Sequence, residues 1–301
     1  MSSQIEELLN QIHEFVTDFT KIEVSKSEYS FFLNCLRASL AKSYEFLLFS
    51  HSDSESEGYF FAVSTLRGIA EELIVLKFIS TLEHAKCERV LQILQWIEIH
   101  ERVTRQQAFF EKYRPFQPVL GWTEASPSLD QLKDEMKTIW RESGWTNFNG
   151  KGIPPVREMA DKLAPGILDL LYDFIYRLTS STVHFTPQTL LRFAWGSIEE
   201  NGESFSGSYS TKHLVPYYKR FCQIYGGLLF CLYFEFFAQD IVLTTTVENI
   251  VSSIREKILL DNRWPEMITF EEMNKAVPQF YREQPVLYAT MHAMVIEKFR
   301  K

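Results

Sequence analysis

The segment from Phe221 to Phe237 constrains the fold most, because apolar residues fill almost all of it. Only Gln223, two glycines and Glu235 interrupt the run, which in this respect resembles a membrane-spanning helix. A span, however, needs about 20 apolar residues with few charges, and Arg220 and Asp240 bracket this shorter run. The segment therefore predicts a helix buried at the centre of a protein core, with a membrane span as the alternative.

Helical periodicity extends through most of the remaining chain. In residues 4–20, for example, Ile5, Leu8, Leu9 and Ile12 recur at the spacing of one helix face. Phenylalanine is abundant, with 25 copies, and glycine is scarce, with 12, which favours packed helices over a turn-rich sheet. The same reasoning predicts further helices over 27–50, 59–82, 84–113, 128–143, 156–163, 168–184, 213–242 and 247–260 and near 285–301.

A different pattern occupies residues 190–210, where aromatic residues lie on both sides of Glu200-Asn201-Gly202. An Asn-Gly pair is typical of a tight β-hairpin turn. The sequence thus predicts an all-α fold, a predominantly helical bundle, with one small β-hairpin near 190–210. We expect a single helical domain over 1–301, with N-terminal helices in 1–120, a core over about 30–240 and a C-terminal helical extension over 245–301.

The charge balance argues against a nucleic-acid-binding surface that covers the whole molecule. With 31 basic and 39 acidic residues the formal charge is −8, so any contact with RNA needs a local basic patch. Lys212, Lys219 and Arg220, together with His213, form a candidate patch for binding phosphates. A solvated helix start is the alternative explanation for these residues.

Cysteine usage and the N-terminal sequence both indicate a reducing compartment. Cys35, Cys87, Cys222 and Cys231 lack the paired spacing of metal ligands and lie among apolar residues, so we predict neither zinc nor disulfides. A secretory signal has a basic region followed by an apolar run. The N-terminus of this sequence does not show that pattern. We expect a cytoplasmic protein with no cofactor and no membrane span.

Polar residues at two places in these apolar helices are candidates for a functional site. Arg67 and Glu71 lie one helical turn apart, on one face of a helix that is apolar on nearly every other side. They could bind and orient an anion, or form a buried ion pair that fixes the packing of the helix. Spacing alone does not separate these two interpretations.

The second place is the end of the predicted helix over 168–184. Arg177 and His184 are seven positions apart, which brings them within about 20° of each other after two helical turns. Ser180 and Ser181 lie between them. A helix face with Arg, two Ser and His indicates a cleft lining, although a histidine at a helix end with capping serines is an alternative.

Together these side chains suit phosphodiester cleavage without a metal ion. Arginine presents a planar fork to phosphate, and histidine exchanges a proton near neutral pH. In this hypothesis His184 moves a proton to or from a ribose 2′-hydroxyl or the leaving oxygen, while Arg177 stabilises charge on the phosphate. Ser181 positions the substrate, with Ser180 as a further binding residue, and Arg67 and Glu71 support the site.

Three sequence segments resemble a family of uncharacterised bacterial helical proteins. They are Arg67-Gly68-Ile69-Ala70-Glu71, Pro155-Val156-Arg157-Glu158-Met159-Ala160 and the stretch from Tyr172 to His184. The likeness covers about residues 30–240. It implies an all-helical protein in which an Arg and a Glu of one helix accompany a Tyr-rich helix that ends in Ser and His.

The segment from Arg177 to His184 also resembles the signature of HEPN ribonucleases, all-helical proteins that often dimerise to build a shared active site. The resemblance implies that Arg177 and His184 are a catalytic pair, that RNA is the substrate and that the chain is a homodimer. It also implies a toxin or antiphage role with a protein partner or antitoxin. HEPN proteins commonly have a polar residue directly after the Arg, whereas this chain has Leu178. A non-catalytic HEPN-like module that binds a protein or a small anionic ligand is therefore the alternative.

Overall fold

The computed structural model describes residues 2–21, 30–52, 58–114, 116, 128–163, 166, 168–184, 186–198, 205–269, 272, 284 and 286–287. Over these residues the fold is all-α apart from one two-stranded hairpin, as the sequence predicts. The helices are α1 Ser2–Gln11, α2 His13–Thr20, α3 Phe31–His51, α4 Tyr59–Ile79, α5 His84–Tyr113, α6 Leu129–Glu142, α7 Val156–Leu163, α8 Leu168–Leu171, α9 Arg177–Val183, α10 Pro187–Leu191, α11 Val215–Phe236, α12 Ala238–Ile241 and α13 Thr245–Leu259.

The chain divides into two compact units. The first comprises Met1–Lys21, Ser39–Glu71 and Leu170–Lys301, and the second comprises Ile22–Ala38 and Glu72–Asp169. The candidate site lies in the first unit.

Helix α11 is the core of the first unit, which confirms the prediction of a buried helix for the apolar run. Most of its side chains are buried, including Gln223, whose amide nitrogen donates to the carbonyl of Ser50 at 2.9 Å. The hydroxyls of Tyr233 and Ser39 are hydrogen-bonded at 2.5 Å. Gln223 and Tyr233 thus have hydrogen-bond partners on α3, whereas Glu235 is exposed and pairs with Arg255 of α13 at 2.8 Å. Within the described ranges, no helix has the length and apolarity that crossing a bilayer requires.

The hairpin of the first unit lies within the predicted region. Strands β1 Ala194–Ile198 and β2 Phe205–Tyr209 are antiparallel, with Ala194 opposite Tyr209. The predicted turn at Glu200-Asn201-Gly202 lies outside the described residues. The helix predicted near 285–301 also lies outside them, except for residues 286–287, which are helical.

The second unit packs α5 against α6. In its core the ring of Phe78 stacks on Trp140, with centroids 5.0 Å apart, and meets Trp145 edge-on. Arg89 donates two hydrogen bonds to the Glu135 carboxylate, at 2.6 and 2.7 Å, and this guanidinium lowers the pKa of Glu135. The Arg89–Glu135 contact joins the facing sides of α5 and α6, and Phe78 joins the end of α4 to α6.

Three predicted helices are interrupted, and those predictions are wrong in detail. The helix predicted over 4–20 is two helices that break at Ile12, where φ is −97° and ψ is 3°. The helix predicted over 213–242 breaks at Phe237, between α11 and α12, where φ is −123° and ψ is 27°. The helix predicted over 168–184 contains a π-helical turn, Tyr172–Tyr176, between α8 and α9, and it ends at Val183, because the backbone of His184 is extended, with ψ at 156°. None of the three interruptions has a glycine or proline to signal it.

Candidate functional site

The π-helical turn builds the aromatic part of the candidate site. Such a turn widens the helix by one residue and is often found at functional sites. Here the rings of Tyr172 and Tyr176 stack with an interplanar angle of 16° and centroids 4.5 Å apart. The turn also sets the position of α9, at the end of which His184 is the C-cap residue.

The structure brings Arg67 of α4 to His184. Nη1 of Arg67 lies 3.0 Å from Nε2 of His184, and the imidazole side chain is exposed, because α9 ends there. The backbone N–H of His184 still donates to the Ser180 carbonyl at 2.8 Å, which holds the residue against the last helical turn. An exposed imidazole thus has a fixed backbone and a cationic neighbour.

Tyr176 holds the other side of the Arg67 guanidinium. Nη2 of Arg67 donates to the Tyr176 hydroxyl at 2.8 Å, and Cζ lies 4.5 Å from the centroid of the same ring. The planar fork of arginine can make both hydrogen bonds at once because its nitrogens point in fixed directions. Arg67 is therefore held between His184 and a stacked aromatic pair.

The hydrogen bond between Arg67 and His184 determines where the imidazole proton lies. A guanidinium only donates hydrogen bonds, so Nε2 of His184 must be the acceptor. A neutral imidazole with Nε2 as acceptor carries its proton on Nδ1. In this arrangement Nε2 has the lone pair that a general base needs.

Of the three residues predicted to act with His184 on its own helix, the structure describes the side chains of Ser180 and Ser181. The Arg177 side chain lies outside what the structure describes, so the catalytic Arg177–His184 pair stays a prediction. Ser180 donates to the Tyr176 carbonyl at 2.7 Å, and Ser181 donates to the Leu178 carbonyl at 2.6 Å. Both hydroxyls keep lone pairs that can accept a hydrogen bond from a ligand.

Glu71 is half-buried on α4 and does not pair with Arg67 in the described part of the chain. The buried ion pair that local spacing allowed is thus replaced by contacts from Arg67 to His184 and Tyr176. The supporting role predicted for Glu71 stays a prediction.

The basic patch is engaged elsewhere in the first unit. Lys219 donates to the Ser52 carbonyl at 3.1 Å, and Arg220 forms an ion pair with Asp261. Lys212 is exposed in a short 3₁₀ helix, Thr211–Leu214. In the described part of the chain, these two contacts are with Ser52 and Asp261 and not with Arg67 or His184.

Tyr176 is not among the site residues that the sequence predicts, although it lies in the stretch from Tyr172 to His184 and contacts Arg67 in the structure. The available signal was the four-residue spacing of Tyr172 and Tyr176, which places two rings on one side of a helix. No group of three or more His, Cys, Asp or Glu side chains that could hold a metal ion occurs within the described residues.

Comparison with known proteins places the chain in a family. A family model described as a family of unknown function, DUF5677, matches residues 29–204. The chain belongs to DUF5677. Arg67, Tyr176, Arg177 and His184 all lie inside the DUF5677 segment, whereas Lys212, Lys219 and Arg220 lie beyond it. No curated protein and no solved structure matches the chain. The predicted likeness to an uncharacterised family is thus confirmed.

Proposed function

We propose that this DUF5677 protein is a metal-independent endoribonuclease in which His184 transfers the proton and Arg67, with Arg177, binds the scissile phosphate. One observation carries the proposal: Nη1 of Arg67 lies 3.0 Å from Nε2 of an exposed His184. A proton-transfer group and a phosphate-binding cation are thereby within reach of one phosphodiester.

The proposed reaction begins when a phosphate of the RNA backbone binds beside Arg67 and His184. An anionic phosphate accepts stronger hydrogen bonds from a guanidinium than a neutral imidazole does. The phosphate therefore draws Arg67 away from Nε2 of His184 and frees its lone pair. Nε2 then removes the proton of the ribose 2′-hydroxyl as O2′ bonds to phosphorus, and the bond from phosphorus to O5′ breaks. The protonated His184 returns its proton to the leaving O5′, which gives a 2′,3′-cyclic phosphate and a 5′-hydroxyl.

The stacked pair of Tyr172 and Tyr176 supports an RNA substrate in particular. Aromatic side chains stack on unpaired bases of RNA, and such contacts tolerate many sequences. Ser180 and Ser181 offer acceptor lone pairs along the same helix. Following the HEPN resemblance, the proposal includes a cytoplasmic homodimer that acts in bacterial stress or antiphage defence, restrained by a protein partner or antitoxin.

The test is cleavage of total cellular RNA by the purified full-length chain in EDTA. The decisive variant is His184→Gln, because the amide oxygen of Gln can still accept from Arg67 but cannot transfer a proton near neutral pH. The matched control is His84→Ala, which removes an exposed imidazole at the start of α5. Arg177→Ala tests the predicted partner.

We expect wild type and His84→Ala to cut RNA to cyclic-phosphate ends, and His184→Gln and Arg177→Ala to lose at least about 100-fold in rate. Equal melting temperatures would show that the variants fold. Cleavage by His184→Gln at the wild-type rate would contradict the proposal.

The same contacts favour a second function, that of a non-catalytic helical module that binds a protein partner or a small anionic ligand. Arg67, Tyr176 and His184 satisfy one another by hydrogen bonds, as groups that only fix helix packing do. In this case wild type leaves RNA intact at high protein concentration, while His184→Gln lowers only the melting temperature.

A further inference from the structure

A second polar feature of the first unit is a cavity of about 250 Å³ beside α9. Its lining includes Leu178, Ser181 and Thr182 on α9 and Arg192, Tyr217 and Tyr218 on neighbouring segments. Ligand pockets for drug-sized molecules run from about 300 Å³ upwards. This cavity therefore suits a smaller ligand, of the size of one nucleobase.

The cavity holds a hydroxyl whose proton has no acceptor among the described residues. Tyr218 is only 4% exposed, and its hydroxyl interacts with the Arg192 guanidinium, which can donate a hydrogen bond to it but cannot accept one. A bound ligand can supply the missing acceptor. Burial also raises the pKa of Tyr218, so the hydroxyl keeps the proton that it would donate.

Arg192 adds a second unused donor. Its Nη2 donates to the Glu272 carboxylate at 2.5 Å and to the Met267 carbonyl at 2.6 Å. Its Nε is buried and has no hydrogen-bond partner among the described residues. Because Glu272 already balances the charge of Arg192, the described lining of the cavity carries no unpaired cation to select an anion.

Acceptors lie on the α9 side of the cavity. The hydroxyl of Ser181 donates to the Leu178 carbonyl, and that of Thr182 donates to the Thr179 carbonyl at 2.7 Å. Each oxygen thus has lone pairs left to accept from a ligand. Asp173 also lines the cavity and adds a carboxylate acceptor.

This mixture of donors and acceptors in a cavity with a balanced arginine matches a neutral, planar ligand that presents C=O next to N–H. We propose that the cavity binds one base of the RNA through such a lactam edge, as guanine and uracil have and adenine lacks. This inference rests on the proposed ribonuclease function, since His184 lies two positions after Thr182, the last α9 residue that lines the cavity. The cavity would select the base next to the cleaved phosphate.

The test measures nucleoside binding without cleavage. Ligand-observed NMR titrations of the full-length chain use uridine, guanosine and adenosine as probes. Two variants keep side-chain volume while removing one polar group each: Tyr218→Phe removes the donor, and Thr182→Val removes an acceptor. Tyr44→Phe is the matched control, because its buried hydroxyl bonds to the Leu9 carbonyl and does not line the cavity.

We expect wild type and Tyr44→Phe to bind uridine or guanosine with a Kd in the millimolar range, and adenosine at least about tenfold more weakly. Tyr218→Phe and Thr182→Val should each weaken lactam binding by about three- to tenfold, without changing adenosine binding. Equal binding of all three nucleosides, or wild-type affinity in Tyr218→Phe, would overturn the inference.

The cleavage assay separates this inference from the proposed function. Base-selective binding by a chain that leaves RNA intact would support the cavity and reject the ribonuclease. RNA cleavage by a chain that does not discriminate between uridine, guanosine and adenosine would reject the cavity and keep the ribonuclease.

Discussion

Arg67 and His184 are 117 positions apart in the chain, and their side chains are joined by a 3.0 Å hydrogen bond. The guanidinium of Arg67 can only donate hydrogen bonds, so the lone pair of Nε2 of His184 accepts this bond and points at the Arg67 cation. In the proposed reaction the substrate phosphate takes the place of the imidazole on Arg67. Without a substrate, this contact therefore keeps Arg67 and His184 next to each other, as the proposed reaction requires.

Replacing Arg67 with Lys tests whether the fork of this side chain matters beyond its charge. A lysine ammonium keeps the charge but cannot reproduce the planar fork that contacts His184 and Tyr176 together. We expect Arg67→Lys to lower the single-turnover rate of RNA cleavage by about 10- to 100-fold. Arg105→Lys is the control, because Arg105 is a highly exposed residue of α5. Equal rates in wild type and Arg67→Lys would mean that charge alone is sufficient.

Tyr176→Phe removes a hydroxyl while leaving the ring stack on Tyr172. Arg67 then loses its 2.8 Å hydrogen bond but keeps the ring 4.5 Å from Cζ. We expect the free energy of unfolding to fall by about 1 kcal/mol and the cleavage rate to fall by about tenfold or less. Urea unfolding and single-turnover kinetics measure the two effects. Tyr209→Phe, at an exposed position of β2, should change neither.

The sequence was sufficient to predict the central helix and the hairpin. The run from Phe221 to Phe237 is apolar on all sides, and only burial in a core or a membrane satisfies such a helix. The hairpin followed from an Asn-Gly pair between aromatic segments. Both features depend on local composition, which a sequence displays directly.

The site was harder to predict because tertiary contacts decide it. Local spacing paired Arg67 with Glu71, one turn away, whereas the folded chain turns Arg67 to Tyr176 and His184. The π turn at Tyr172–Tyr176 has no breaker residue to announce it. Its backbone hydrogen bonds are compatible with the same apolar pattern as an α-helix, so periodicity alone gives a continuous helix.

The buried thiol of Cys231 should lower the free energy of unfolding at alkaline pH. Burial raises the pKa of this thiol from 9.0 to about 12. Above pH 9 the unfolded chain therefore loses a proton that the folded chain keeps, and stability falls as pH rises towards 12. Between pH 9 and pH 10 this thiol should lower the free energy of unfolding by about 1 kcal/mol.

The measurement is urea unfolding at pH 9 and pH 10 for wild type and Cys231→Ala. The variant should be less stable at both values, because it leaves a cavity, but should lose less stability between them. Buried tyrosines contribute equally in both proteins, so the difference between the two slopes isolates the thiol. Identical slopes would show that Cys231 ionises normally in the folded protein.

Helix α3 approaches α11 so closely at Gly226 that any larger residue at this position should destabilise the fold. A Cβ atom at Gly226 would lie 2.8 Å from Cε1 of Phe46, and the Phe46 side chain is buried. Alanine favours a helix over glycine by about 1 kcal/mol, whereas overpacking a core costs about 1 to 3 kcal/mol. We expect Gly226→Ala to lower the free energy of unfolding by about 1 to 2 kcal/mol. Adding Phe46→Leu should recover part of that loss, because the smaller side chain makes room for the new methyl group.

Gly150→Ala is the control, since its Cβ would meet no atom within 4 Å, and should change stability by less than about 0.5 kcal/mol. Losses that simply add in the double variant would show that Gly226 and Phe46 do not compete for the same space.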